Sequence, residues 1–270
     1  MPLPILPDVP APVDLLRLFH QTELQWARQI AQEATLESGT AIYSPDVPDF
    51  AEANALHDVA MPPGVTASQA LDEAERFYAD QGTRLHACIL NPAAPADTRD
   101  AITAELQRRA WQRRQFDVMH TSSPRLPDHP PHEGLKIIPA RASFRHTRQL
   151  IEQMIAEIGG PAVAEAWMLR YDDPHYDALI AIRDGRTIAH VGVLAVGEIG
   201  RIDDLFVAPD ARGQGIGWVM LYRAIDLCLR SVYRHVMLSV APDHEQAIGM
   251  YRRCGFERIG QFTSWRRPSM

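Results

Sequence analysis

Cysteine is scarce in this 270-residue chain: only Cys88, Cys228 and Cys254 occur, widely separated, with no C-x-x-C pair. An odd, scattered set does not build a disulfide framework, so the sequence reads as intracellular and reduced. No run of Lys and Arg and no basic-aromatic array is present, and the formal net charge is −7 with the signs interspersed. Nucleic acid is therefore not expected as the principal partner. The opening "MPLPILPDVPAP" lacks a basic stretch, and its prolines break any apolar helix, so neither a signal peptide nor a membrane anchor is expected there. No later segment is apolar for long enough to span a bilayer, and the expected compartment is the cytoplasm. The length suits one large domain or two small ones, with ample apolar content for a core.

What the sequence does have is a concentration of glycine at one place. In "LFVAPDARGQGIGWVM", Leu205 to Met220, three alternating glycines separate an apolar run from a helix-like segment. Glycine is a poor helix starter, so Gly213, Gly215 and Gly217 imply either a tight turn or a close approach of backbone to a ligand. The first N–H groups of a helix lack carbonyl partners and, with the dipole, favour an anion such as phosphate.

The proline-rich "TSSPRLPDHPPHEG", residues 121–134, cannot form a core element and is the expected linker between residues 1–125 and 135–270. Its His129 and His132 have no partner at metal-ligand spacing, and no metal is expected. After it come a strand "LKIIPA" and a helix with Phe144, Leu150, Ile151, Met154, Ile155 and Ile158 near helical spacing, ending at glycines. A second helical stretch around "PAVAEAWMLRY" follows, then two apolar strands joined by Asp184-Gly185, the preferred pair for a type I′ hairpin. "RIDDLFVAP", "WVMLYRAIDLCLRSV", "HVMLSVAP", "EQAIGMYRRCG" and "FERIGQFTSW" read strand, helix, strand, helix and one or two strands. The expected fold is α/β (α+β): a mixed, mainly antiparallel sheet with flanking helices. A Rossmann fold fits poorly because Trp218 stands where its third glycine belongs and the parallel βαβ order is absent.

These residues resemble the GCN5-related N-acetyltransferase (GNAT) family. Arg212-Gly213-Gln214-Gly215-Ile216-Gly217 is similar to its R/Q-x-x-G-x-G/A acyl-coenzyme A loop, and "AIGMYRRCGF" to its A-x-x-x-Y-x-x-x-G-F signature, over about Leu135 to Trp265. The resemblance implies transfer of an acetyl (acyl) group from acetyl-CoA to a primary amine. It places the coenzyme pyrophosphate on the amides of Gly213 to Gly217 and the pantetheine arm beside Leu205, Phe206 and Val207. It also makes Tyr251 the acid that protonates the leaving thiolate, and a main-chain N–H of that strand the oxyanion donor.

Asp203, Asp204 and Glu198 are the candidate bases; strand alternation would send the adjacent aspartates to opposite faces, leaving only one able to reach the substrate. Either aspartate could instead be a structural contact, with water relaying the proton. His244 stands where the family often has asparagine against the coenzyme arm, and Arg212 is either a phosphate neighbour or an exposed helix-entrance residue. The competing reading is a non-catalytic acyl-CoA-binding or sensing protein of the same fold. The amine and the oligomeric state stay open.

The first half carries a faint echo of the second. "ALHDVAMPPG", "SQALDEAERFYADQG", "RLHACILNP", "ITAELQRRAWQRRQ" and "FDVMH" read strand, helix, strand, helix, strand. Here the glycine loop is replaced by "PPGVTAS" and the position of Tyr251 by Gln107, so a smaller GNAT-like half without its own coenzyme site is expected. An amphipathic helix near the start has Leu15, Phe19, Trp26 and Ile30 on one stripe. This half could complete the sheet, wall the amine pocket or stand in for a dimer partner.

Overall fold

The computed structural model describes residues 10–126, 134–155 and 161–268; His129, His132, Ile158 and the glycines after it lie outside them. The earlier half runs α1 (Pro12–Arg28), β1 (Gln32–Leu36), β2 (Gly39–Tyr43), β3 (Ala55–His57), α2 (Ala67–Asp80), β4 (Ala87–Ile89), α3 (Ala96–Arg108) and β5 (Gln112–Thr121). The later half runs β6 (Lys136–Pro139), α4 (Phe144–Ile155), α5 (Pro161–Met168), β7 (Tyr176–Arg183), β8 (Arg186–Val196), β9 (Ile199–Val207), α6 (Ile216–Arg230), β10 (His235–Val240), α7 (Glu245–Arg253) and β11 (Glu257–Arg266).

All the strands among the described residues form one eleven-stranded sheet in the order β1-β2-β3-β4-β11-β5-β10-β9-β8-β7-β6. The halves thus exchange strands: β11 stands between β4 and β5, and β5 in turn pairs with β10. Among the described residues two neighbouring pairs are parallel, β3 with β4 and β9 with β10. The β9–β10 ladder joins only Ile199–Arg201 to His235–Met237 and then stops. Beyond it the two strands diverge, and the gap becomes the cleft described below.

Both faces are covered, which explains why β8 reads as a nearly unbroken apolar run. Ala189, Val191 and Val193 pack with Met220, Ile225 and Cys228 of α6, whereas Leu194 joins Trp26 of α1, Ile151 of α4 and Trp167 of α5. The α1 stripe of Leu15, Phe19, Trp26 and Ile30 is buried as its spacing predicts. Asp184 and Gly185 have φ of 52° and 75°, the two positive values a type I′ turn needs.

Some local expectations give way to tertiary structure. The helix expected to run through Gln115 stops at Arg108; Ala110 takes a left-handed φ of 58°, and the chain turns into β5. Phe144, placed on the apolar stripe of α4, is largely exposed because it opens the helix. "FERIGQFTSW" forms one strand, and a β1–β2 hairpin precedes the first expected strand.

The position of β11 generates a test. Truncation before Glu257 would leave β4 and β5 as open edges with Phe262 and Trp265 missing from their cores. The expected result is loss of cooperative thermal unfolding and of soluble yield; a truncated chain with wild-type circular dichroism and melting would contradict this account of the sheet.

Candidate functional site

The chain leaves β9 at Val207 and enters α6 through Arg212 to Gly215. Gly215 is the N-cap in a left-handed conformation, φ 78°, and no side chain caps the helix. Among the described residues, no main-chain carbonyl accepts from the amides of Gly213, Gly215, Ile216 or Gly217; the first bonds of the turn come from Trp218 and Val219 to the Gly215 carbonyl. A Cβ built at Gly213 would meet no heavy atom within 4 Å, so the loop is open on that side. Arg212 donates from Nε to the Val207 carbonyl at 2.9 Å, tying the loop to the end of β9. The result is a cradle of undonated N–H groups at a positive helix end.

The other half treats the corresponding helix differently. Thr66 caps α2 through a full capping box, its hydroxyl accepting from the Gln69 amide while the Gln69 side chain accepts from the Thr66 amide. Its own side chains thus take up donors that α6 leaves free.

The cradle opens into a cleft of about 1010 Å³ between the diverging β9 and β10, with Asp203 to Val207 on one wall and His244 and Tyr251 on the other. Tyr251 is buried on α7 with its ring against Phe256, 6.2 Å between centroids, and burial pushes its phenol up to about 12. It therefore carries its proton at neutral pH. Gly255, φ 88°, ends the helix and allows Phe256 N–H to bond the Tyr251 carbonyl. His244 is the exposed N-cap residue of α7 and makes no side-chain cap. Gln214 faces outward, accepting from Arg183 at 2.6 Å. Glu198 lies at the β8–β9 turn, exposed, 3.6 Å from Arg234, and does not line the cleft.

Asp203 and Asp204 do not separate to opposite faces. The β8–β9 register shifts between His190, paired with Phe206, and Gly192, paired with Asp203. The bulge puts Asp204 at φ 50° and cancels the alternation, so that both carboxylates meet the same guanidinium. Arg170, fully buried, donates from Nη2 to Asp203 at 2.9 Å and from Nη1 to Asp204 at 2.5 Å.

Three rings enclose that guanidinium: Tyr176 at 4.2 Å, Trp26 at 4.6 Å and Trp167 at 5.4 Å. Gln29 of α1 accepts from its Nε at 3.1 Å. Gly192 is required here for space, since a Cβ on it would lie 2.2 Å from the Tyr176 hydroxyl. His190 closes the bulge, its Nδ1 lying 3.0 Å from the Asp204 carbonyl and its Nε2 2.9 Å from the Tyr171 hydroxyl. Burial lowers its pKa to about 4, so it is neutral, and a neutral ring oriented this way donates to the carbonyl.

The two aspartates differ in their surroundings. Burial and the neighbouring Asp203 raise Asp204 to about 6, whereas Arg201 and Arg170 outweigh burial at Asp203 and hold it below the usual carboxylate range. Asp204 also lies where the cleft meets a second cavity of about 270 Å³, the two sharing Phe116, Asp203, Asp204 and Ser239. Sequence reasoning missed Arg170, Arg201 and the α1 residues Glu23, Trp26 and Gln29. A lone arginine inside the apolar "AWMLRY" was the one available signal for Arg170. Among the described residues no group of three His, Cys, Asp or Glu side chains could hold a metal ion, and no helix is long and apolar enough to cross a membrane.

A mixed sheet opened at a parallel pair beside a glycine-capped helix defines a fold class that other solved structures share. The chain superposes on a GCN5-related N-acetyltransferase from Kribbella flavida with TM-score 0.65 at 14% identity, covering 95% of this chain and 96% of that one. A second, from Sphaerobacter thermophilus, gives 0.62 at 18% identity over 98% of each chain. Residues 145–256 match the family model of the Acetyltransferase (GNAT) family.

Among curated relatives, an uncharacterized N-acetyltransferase of Methanocaldococcus jannaschii is 37% identical over 70 residues, 26% of this chain and 31% of the relative. A putative [ribosomal protein bS18]-alanine N-acetyltransferase of Bacillus subtilis is 26% identical over 89 residues, 33% of this chain and 59% of the relative. The chain thus spans less than two thirds of the length of either relative.

The cradle predicts the behaviour of Gly217→Glu. An acidic residue in the first turn favours the helix by about 0.3–1 kcal/mol and replaces a poor helix former, so melting temperature should hold or rise. The same carboxylate would repel phosphate, and calorimetric affinity for coenzyme A should fall more than tenfold. A folded variant with unchanged affinity would remove the anion from this loop.

Proposed function

We propose that this chain is an N-acyltransferase that moves an acetyl group from acetyl-CoA to a primary amine by direct attack. The observation that carries the reading is Asp204: a carboxylate raised to about 6, held by Arg170, standing where a cleft with an anion cradle meets a second, carboxylate-lined cavity. The amides of Gly213, Gly215, Ile216 and Gly217 bind the phosphates, and the edge of Leu205, Phe206 and Val207 runs beside the pantetheine arm. Acetyl-CoA supplies the activated thioester.

Within this scheme the bulge supplies the oxyanion donor. The extra residue of a bulge leaves the ladder, which frees a main-chain N–H of Asp204–Leu205 for the oxygen that gains charge as the amine adds. Asp204 takes the proton that the amine gives up as its C–N bond forms. Tyr251 gives its proton to the sulfur as the C–S bond breaks. Asp203 stays ionised and, with Arg170, keeps Asp204 in place. The residues before the linker wall the amine side, since α1 contributes Glu23 and Trp26 to the second cavity. Three free, buried cysteines agree with a cytoplasmic, reducing setting.

The base assignment fixes a pH dependence. Asp204 must be deprotonated to accept a proton, so kcat/KM should fall as pH drops through about 6, below which the carboxylate is occupied. Asp204→Asn should lose that limb together with roughly 10²- to 10⁴-fold in rate. A folded Asn variant that keeps the wild-type profile would return the proton to water.

For Tyr251→Phe the ring contact with Phe256 survives and only the phenolic proton is lost. The expected outcome is a single-turnover rate lowered by roughly 10²-fold or more with acetyl-CoA affinity nearly unchanged. Lost affinity with an intact single-turnover rate would make Tyr251 a binding residue.

A further inference from the structure

The second cavity, about 270 Å³, lies beneath α1 on the α1-facing side of the sheet. Its aromatic walls are Trp26, Phe116, Trp167 and Phe262. Four carboxylates also line it: Glu23 of α1, Glu52 in the 3-10 turn before β3, and Asp203 and Asp204 of β9.

Three guanidinium groups answer them. Arg201 pairs with Glu23 at 2.7 Å and with Asp203 at 3.3 Å, Arg266 with Glu52 at 2.6 Å, and Arg170, behind the wall, with Asp203 and Asp204. His57, also in the lining, adds no charge, because burial lowers its pKa to about 3. Ionised, the set carries four negative charges against three positive ones. One negative charge is left over among the groups of the lining. Burial raises Glu23 and Asp204 above the ordinary carboxylate value, and at each the neighbouring Asp203 adds to it.

We propose that this cavity binds the acceptor, and that the acceptor is a small, apolar primary amine with one positive charge and no carboxylate or phosphate of its own. One ammonium cancels the leftover charge, and aromatic rings suit both an apolar body and a cation. An amino acid would bring a second negative charge beside the unpaired one, which at short range and in a partly dehydrated site is strongly repelled. The volume fits a small molecule, and Glu23, Trp26 and Ala27 of α1 form one of its walls. This inference rests on the acyl-transfer reading and specifies its substrate.

The test uses the full chain with acetyl-CoA, following free thiol with two matched pairs, phenethylamine against L-phenylalanine and tyramine against L-tyrosine. Acetyl-CoA binding is measured alongside by calorimetry. The expected result is kcat/KM about a hundredfold higher for each amine than for its amino acid. Glu52→Gln, which removes the leftover charge away from Asp204, should narrow that preference at least about tenfold.

Equal or better turnover of the amino acids overturns the inference while leaving acyl transfer standing, and so does thiol release with lysine peptides but with neither free amine. A preference unchanged in a folded Glu52→Gln variant overturns its electrostatic basis. If that variant does not fold, the wild-type ratio decides. No thiol release with any amine despite acetyl-CoA binding overturns both the inference and the proposed activity.

Discussion

The buried guanidinium of Arg170 is the point on which the site turns. It comes from the short 3-10 segment after α5, holds two carboxylates of β9, and is enclosed by rings from α1, α5 and β7. Burying a charge this deeply is unfavourable unless geometry and hydrogen bonding compensate, and here two carboxylates and Gln29 do so. Removing one partner of such a set typically destabilises a protein by about 3–5 kcal/mol, because the remaining charges are left unmatched. Packing around the second cavity and the placement of Asp203 and Asp204 therefore depend on the same contact. The bulge in β9 belongs to this arrangement, since without it only one aspartate would face the guanidinium.

The site also has a polarity along its length. At one end, free amides and a helix terminus offer partial positive charge through main-chain atoms; at the other, side chains leave a net negative charge. In the proposed scheme this polarity would sort a donor with phosphates and an acceptor with an ammonium to opposite ends before any specific contact is made. Asp204 stands where the cleft and the second cavity meet. α2 in the earlier half offers no such open end: Thr66 and Gln69 form a capping box there, whereas no side chain caps α6 at Gly215.

How much of this was legible in the sequence depends on the range of the interaction. The hairpin at Asp184-Gly185, the glycine cap at Gly215 and the helix stop at Gly255 are local backbone demands, and each was readable from residue type alone. The element order after residue 135 was readable for the same reason. Arg170 was not: its partners lie 33 and 34 residues along the chain, and its enclosing ring Trp26 belongs to the first helix. Two-residue periodicity assigned Asp203 and Asp204 to opposite faces, and a bulge is the feature that such a rule cannot contain. The cavity beneath α1 was equally hidden, because its walls come from segments as distant as Glu23 and Arg266. Local pattern specified the glycine cradle, while the cavity beneath α1 is a product of assembly.

The strand exchange has a consequence for the order of synthesis. Residues Glu257–Arg266 are made after every other strand of this sheet, yet they fill its interior, between a strand beginning at Ala87 and another beginning at Gln112. Neither half can complete its hydrogen bonding while translation is still in progress, and the earlier one must wait with unsatisfied edges for most of that time. Non-local strand pairing of this kind folds slowly and exposes sticky intermediates. A chain released before that final strand would carry a gap in the middle of its sheet, with β4 and β5 left as open edges.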